Sequence, residues 1–292
     1  MYSDVRTATG LFCFGAHRTY TSPQKGGHAV AEYTASPLPE NAFPIAWTLS
    51  PVYTAADGNV TGGVIRTEIC SLVSGHLSPA QYEPVTDRTE TGISLLRRMA
   101  GKALDLFRDE PILGMEHIRL YLHAPESLLF ADNPYAELSG LPGRDGHGQM
   151  RPVGLTFESG VLSRPVKAVA EGFSAIRAAG FPVAVRGFGA PDFPTGALME
   201  ATPDAVFLHP SLTARLSGGL RTEAAVALLH FAAGLGIQTI AEGVADDAEI
   251  RALYAADSIG YLPSGDYSGA YPGRAAALTP AAFVAAVKEV VL

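Results

Sequence analysis

Apolar positions along the chain alternate between two periods. Short apolar runs of strand length are separated by stretches whose apolar residues recur every three to four positions. Ala46-Trp-Thr-Leu-Ser-Pro-Val-Tyr53 reads as a strand, Asp57-Gly58 as a hairpin turn, and Val60 to Ile69 as a second strand. Ile93, Leu96, Met99, Leu104 and Phe107 predict a helix over 89–108. His117 to Leu122, Val153 to Phe157, Val183 to Val185, Ala205 to Leu208, Ile237 to Ala241 and Ile259 to Leu262 read as further strands. A helix over 165–178, with Val166, Val169, Phe173 and Ile176 on one face, stops at Gly180 with Pro182 beyond. Thr222 reads as the cap of a helix to Ala233, Asp246 with Glu249 as a capping box, and Thr279-Pro280 as the start of a last helix. In that last helix Phe283, Val284, Val287, Val290, Val291 and Leu292 exceed one buried stripe, as a partner or oligomer surface would.

Strands alternating with helices imply parallel pairing and an α/β fold. Roughly eight strands in the last 250 or so residues fit a closed (β/α)8 TIM-like barrel. The doubly wound alternative lacks its Gly-x-Gly-x-x-Gly fingerprint. Residues 1–40, with Ser22-Pro-Gln-Lys-Gly-Gly27 and Ser36-Pro-Leu-Pro39, carry turn chemistry and read as an N-terminal extension to a barrel domain over 41–292. The Gly- and Pro-rich segment 138–152 reads as a surface loop.

Composition narrows the class. With 292 residues, 47% hydrophobic and 17% charged, the chain is too apolar for disorder. Two cysteines, Cys13 and Cys70, exclude a disulfide scaffold and a four-thiolate zinc site, and read as reduced, small core hydrophobes. A net charge of −8 argues against nucleic acid as a partner. The longest apolar run, Ala224 to Ile237, is interrupted by His230 and falls short of the roughly 20 residues of a membrane span. With no signal-peptide pattern at the start, the expected location is cytoplasmic.

Four segments together resemble one bacterial family. They are Leu235-Gly-Ile-Gln-Thr-Ile-Ala-Glu-Gly-Val244, Ile176-Arg-Ala-Ala-Gly-Phe-Pro-Val-Ala-Val-Arg-Gly-Phe-Gly189, Thr202-Pro-Asp-Ala-Val-Phe-Leu-His-Pro-Ser211, and Pro51-Val-Tyr with Asp57-Gly-Asn-Val-Thr-Gly-Gly-Val-Ile-Arg66. In order and spacing they resemble the EAL domain of cyclic di-GMP phosphodiesterases, over about 44–275. The resemblance implies a (β/α) barrel with an antiparallel first strand. It also implies two divalent metals held by carboxylates, which activate water against a phosphodiester.

Position by position, that metal set is mostly replaced. The glutamate of Glu-Ala-Leu falls on Val64, followed by Ile65 and Arg66, with Glu68 further along the same strand face. The family's asparagine ligand falls on His123, and the next strand's glutamate on Gly154 or Leu155, with Glu158 as its partner near the strand end. The paired aspartates fall on Arg186 and Gly187, the lysine on Phe207, and the aspartate two positions on at His209. Glu242 matches, and the late glutamine falls on Ser264-Gly265. Arg186 would repel a dication and instead suits pairing with Glu242 or Glu158.

These losses lead to the expectation of a degenerate EAL-like domain with no catalytic residues, no metal and no cofactor. Such a domain would act as a regulatory or structural module through a protein partner or a homo-oligomer. One alternative is a non-hydrolysing cyclic di-GMP receptor that uses Arg66, Arg186 and Ser264. Another is an unrelated TIM-barrel enzyme. His123, His209 and Glu242 would suit a different metal site, but read as hydrogen-bonding groups near strand ends. His17, His28, His76, His117 and His147 show no ligand spacing, and Ser163, Ser211 and Ser264 lack triad partners. Gly187, Gly189 and Gly196 read as loop geometry, and Arg97, Arg98, Lys102 and Arg108 as a solvated helix face.

Overall fold

The computed structural model describes residues 45–71, 75–108, 118–131, 137–138, 153–218, 221–267 and 277–291. The proposed extension 1–40 (with Cys13, His17 and His28), His117, and the loop expectation over 139–152 (with His147) lie outside them.

Strands β1 (Ile45–Tyr53) and β2 (Val60–Ser71) form an antiparallel hairpin with Ile45 opposite Ile69. Its turn is closed by Asp57, whose carboxylate accepts from the Asn59 backbone at 3.0 Å and side chain at 2.8 Å. Gly58 beside it has φ +75°, which suits a residue without a Cβ. The Thr54 hydroxyl and the Asn59 amides hold the Asp57 carboxyl below its usual range. A short β3 (Gly75–Leu77) pairs antiparallel on β2. Strands β4 (Arg119–His123), β5 (Val153–Phe157), β6 (Val183–Phe188), β7 (Ala205–Leu208), β8 (Gln238–Val244) and β9 (Gly260–Pro263) then continue from β2 in parallel. β9 meets β1 antiparallel at Tyr53 and Tyr261. Eight strands thus close into a mixed α/β barrel whose first strand is antiparallel to its neighbours, and β3 hangs outside the ring.

The helices are α1 (Pro79–Thr86), α2 (Glu90–Arg108), α3 (Glu126–Leu129), α4 (Val166–Ala178), α5 (Thr195–Ala201), α6 (Pro210–Thr213), α7 (Thr222–Gly234), α8 (Asp247–Ala255) and α9 (Pro280–Val291). Most match the sequence reading. Thr222 is a correction: it is the first helical residue of α7, after Arg221, and its hydroxyl donates to the Arg215 carbonyl rather than capping. Asp246 caps α8 by accepting from the Ala248 and Glu249 amides, while Glu249 reaches back to the Ala245 amide. Strand β6 runs three residues past the predicted Val185. In α9, Phe283 and Val287 are buried against the barrel.

Apolar packing forms two compartments. The outer one joins strands to helices through Phe157, Phe173, Phe181 and Phe188, all fully buried. The inner one fills the barrel: Val52, Val64, Tyr121, Ala184, Ala205, Phe207, Ile240 and Leu262. Phe207 stands edge-on to Tyr121, with centroids 5.0 Å apart and planes at 89°, a favourable aromatic geometry. Gly154 faces this plug, since a Cβ there would lie 3.0 Å from the Tyr121 ring. Leu155 belongs instead to the outer compartment. Replacing Phe207 by Ala should therefore cost about 3–5 kcal/mol in urea unfolding, because no neighbour can refill the middle of a closed ring.

Candidate functional site

Side chains alternate across a strand, so residues two positions beyond the plug also face inward, one layer nearer the C-terminal ends of the parallel strands. Val64 is followed by Arg66, Tyr121 by His123, Ala184 by Arg186, Ile240 by Glu242 and Leu262 by Ser264. In barrels of this kind that end carries the chemistry. Two features aim the charged members. The β6–β7 register shifts between Arg186 and Phe188, with Gly187 at φ +86°. The β8–β9 register shifts between Glu242 and Val244, with Gly243 at φ +74°. Each glycine bulge follows the charged residue that it re-aims.

Arg186 and Glu242 meet directly: Nη2 donates to Glu242 Oε1 at 2.6 Å, and Nη1 lies 3.8 Å from Glu158 Oε1. Both members of the close pair are largely buried, with 19% and 12% of their side chains exposed. Burial alone would depress the guanidinium, but Glu242 and Glu158 outweigh it and raise its pKa. Opposite them, Arg66 Nε donates to Ser50 Oγ at 2.8 Å. Burial, together with the like charge of Arg186, lowers the Arg66 pKa.

The sequence reading missed two carboxylates here, Glu83 and Asp87. They come from α1 and its C-terminal cap. Helix α1 starts with a reciprocal Ser78–Gln81 capping box and Pro79 at its first turn, a legible signal obscured by Pro84 inside the helix. The buried Tyr82 hydroxyl hydrogen-bonds Thr67 of β2 and pins the helix to the barrel. His123 Nε2 donates to Asp87 Oδ1 at 2.6 Å, and its Nδ1 lies 4.0 Å from Glu83 Oε1. The carboxylate can only accept, so Nε2 carries the hydrogen. Burial pulls the imidazole pKa down, but the Asp87 hydrogen bond and the Glu83, Asp87 and Glu158 charges push it net upward. Burial likewise raises Glu83, although His123 and Arg186 oppose this.

The other expected positions sit elsewhere or carry no partner. Val64 and Phe207 belong to the apolar plug. His209 caps α6, its Nδ1 accepting from the Ser211 amide at 3.2 Å, so His123, His209 and Glu242 do not form a ligand set. The donors that do converge are Glu83, His123 and Glu158, with one atom of each within 4.8 Å of the others. Glu68 does not turn to the mouth. It pairs with exposed His76 at 3.2 Å, beside Cys70. Ser264 Oγ is buried with no hydrogen-bond partner among the described residues. Although the family's metal set is mostly replaced, four carboxylates, Glu83, Asp87, Glu158 and Glu242, gather at the mouth.

A family model for the EAL domain matches residues 45–258, and the chain belongs to that family. Membership sets aside the reading of an unrelated barrel enzyme. Among solved structures, the fold resembles the EAL enzyme Bd1971 bound to cAMP and cyclic di-GMP, at TM-score 0.67 and 14% identity over 84% of this chain. That match spans 65% of the length of the Bd1971 chain. The MucR phosphodiesterase in complex with c-di-GMP aligns at TM-score 0.60 and 16% identity, covering 75% of this chain and 89% of that one. The FimX EAL domain from Pseudomonas aeruginosa, bound to c-di-GMP, aligns at 0.60 and 13%, covering 75% and 88%. A search of curated proteins gave no match. No helix among the described residues is long and apolar enough to cross a membrane.

The raised His123 pKa has a signed consequence. A base whose folded pKa is raised stabilises the fold while it is protonated. The His123–Asp87 contribution is therefore complete below the unfolded pKa of about 6.5 and fades as pH climbs through the raised folded value. In an NMR titration the His123 ring should release its proton above that point, and Asp87→Asn should bring the midpoint down. Urea unfolding of the wild type and Asp87→Asn should differ most between about pH 5 and 6.5 and converge in alkali.

Proposed function

We propose that this EAL domain does not hydrolyse cyclic di-GMP and acts instead as a regulatory or structural module through protein contacts. One observation carries the reading: the Arg186 guanidinium stands where the resemblance puts paired metal-binding aspartates, locked to Glu242 at 2.6 Å. A fixed cation there fills the role that a dication would have for Glu242 and repels a metal cation brought beside it. The donor set implied for two divalent ions does not fit this chain. Val64 and Phe207 offer hydrocarbon, and Gly187 offers no side chain. The Phe207 position also lacks the lysine that the resemblance implies.

A second reading, a non-hydrolysing cyclic di-GMP receptor, draws on Arg66. Part of the Arg66 side chain is open to solvent, and among the described residues its guanidinium hydrogen-bonds through Nε alone, to Ser50. Arg66 with Arg186 and the buried Ser264 hydroxyl would address phosphate oxygens. Charge balance weighs against it. Four carboxylates at the mouth face two guanidiniums and one imidazole, which disfavours a dianion. Protein contact is therefore the leading reading.

Purified chain mixed with cyclic di-GMP and magnesium or manganese should yield no linear dinucleotide by chromatography; metal-dependent turnover would overturn the proposal. Calorimetry with the same ligand separates the two readings, since the receptor reading requires binding that Arg66→Ala abolishes. The pair also has a stability signature. Glu242→Ala leaves Arg186 buried without its closest partner and should cost about 3–5 kcal/mol by denaturant unfolding. The double change Arg186→Met with Glu242→Leu should cost clearly less, because no charge is stranded.

A further inference from the structure

We propose that helix α1 is an autoinhibitory latch: its Glu83 and Asp87 carboxylates occupy the cations of the barrel mouth and keep a phosphate-bearing ligand out until the helix moves. The latch presupposes the receptor chemistry of Arg66 and Arg186 and adds the element that controls it.

The charges divide by element. The barrel itself brings Arg66, Arg186 and His123 against Glu158 and Glu242. That balance is neutral with an uncharged imidazole and positive with a charged one. Helix α1 and its cap add two carboxylates and turn the mouth negative. Asp87 takes the His123 Nε2–H at 2.6 Å. Glu83 stands 4.0 Å from His123 Nδ1, too far for a hydrogen bond. Its charge nevertheless acts on Arg66 and Arg186 as well as on His123. The Glu83 carboxylate is largely buried and hydrogen-bonds nothing among the described residues, and burial pushes its pKa up. A carboxylate in that position costs stability rather than adding it. What it does is offset the cations that would otherwise meet an anion.

The helix is held lightly enough to come away. Of its eight residues only Tyr82 and Thr86 are buried, and Pro84 removes a backbone donor from its interior. A small cavity of about 20 Å³ lies beneath it, lined by Thr67, Tyr82, Thr86, Leu95, Met99 and His123, so packing there is incomplete. Among the described residues, side chains of the helix and its cap reach the strands by hydrogen bonds at two points, Tyr82 to Thr67 and Asp87 to His123. An element with so few buried contacts opens at less cost than the barrel beneath it. Once it opens, both carboxylates leave the mouth together, because one short helix carries them.

Calorimetry on the full chain at low salt, with inorganic pyrophosphate and separately with cyclic di-GMP, tests the latch. Glu83→Gln combined with Asp87→Asn should raise the affinity for both ligands at least tenfold over wild type, and adding Arg66→Ala should remove the gain. Melting curves check folding. Glu83→Gln alone breaks no hydrogen bond, so it carries the test, with part of the gain, if the Asp87 variant folds poorly. Movement is read with Tyr82→Phe, which cuts a tie to the barrel and leaves the charge of the mouth unchanged. It should speed hydrogen exchange at the Tyr82, Glu83, Thr86 and Asp87 amides and raise the affinity as well. Unchanged affinity in folded Glu83→Gln, a gain that survives Arg66→Ala, or wild-type affinity in Tyr82→Phe would overturn the latch and leave the reading of protein contact standing. Hydrolysis of cyclic di-GMP by the wild type would sink that reading alone.

Discussion

A closed eight-stranded barrel must fill its own lumen with side chains, and the rest of this protein follows from what fills it. Here the filling is hydrocarbon: Phe207 edge-on to Tyr121, with Val64, Ile240 and Leu262 around them. The plug is dry and cannot solvate a charge. Every ionic group in the next layer must find a partner at its own level. That requirement sets the Arg186–Glu242 pair, the His123–Asp87 hydrogen bond and the Arg66–Ser50 contact at one level.

The same constraint explains why a helix outside the ring matters to its mouth. The strands alone would leave His123 without its hydrogen-bond partner, Asp87. Helix α1, anchored by Tyr82 to Thr67, brings Glu83 and Asp87 over the rim. The mouth is therefore built from two sources. One is the inward register of the parallel strands, and the other is a short connecting helix whose position depends on one buried tyrosine.

Much of this was legible in the sequence, because periods of two and of about three and a half residues separate strands from helices without knowledge of their partners. The strand-borne members of the site, His123, Arg186 and Glu242, were placed by the resemblance to the EAL domain, and the pairing of Arg186 with Glu242 or Glu158 followed from charge. The carboxylates of α1 could not. Its eight residues carry almost no amphipathic signal, and Pro84 reads as a breaker, although Ser78, Pro79 and Gln81 spell a helix start. The bulges at Gly187 and Gly243 were equally hidden. A glycine in a strand end looks like a loop until the neighbouring strand's register is known.

The two seams of β1 are unequal. Against β2 it is hydrogen-bonded along its whole length, whereas against β9 it meets only at Tyr53 and Tyr261, with a further bridge from Leu49 to Leu278. Topologically the ring is a ribbon fastened by a short clasp. Sideways opening would start at that clasp, with the hairpin peeling away as one piece while the parallel strands stay joined. Amide hydrogens along the free edge of β9 would then exchange with solvent before those of β6 and β7, so the barrel would breathe along one line rather than all around.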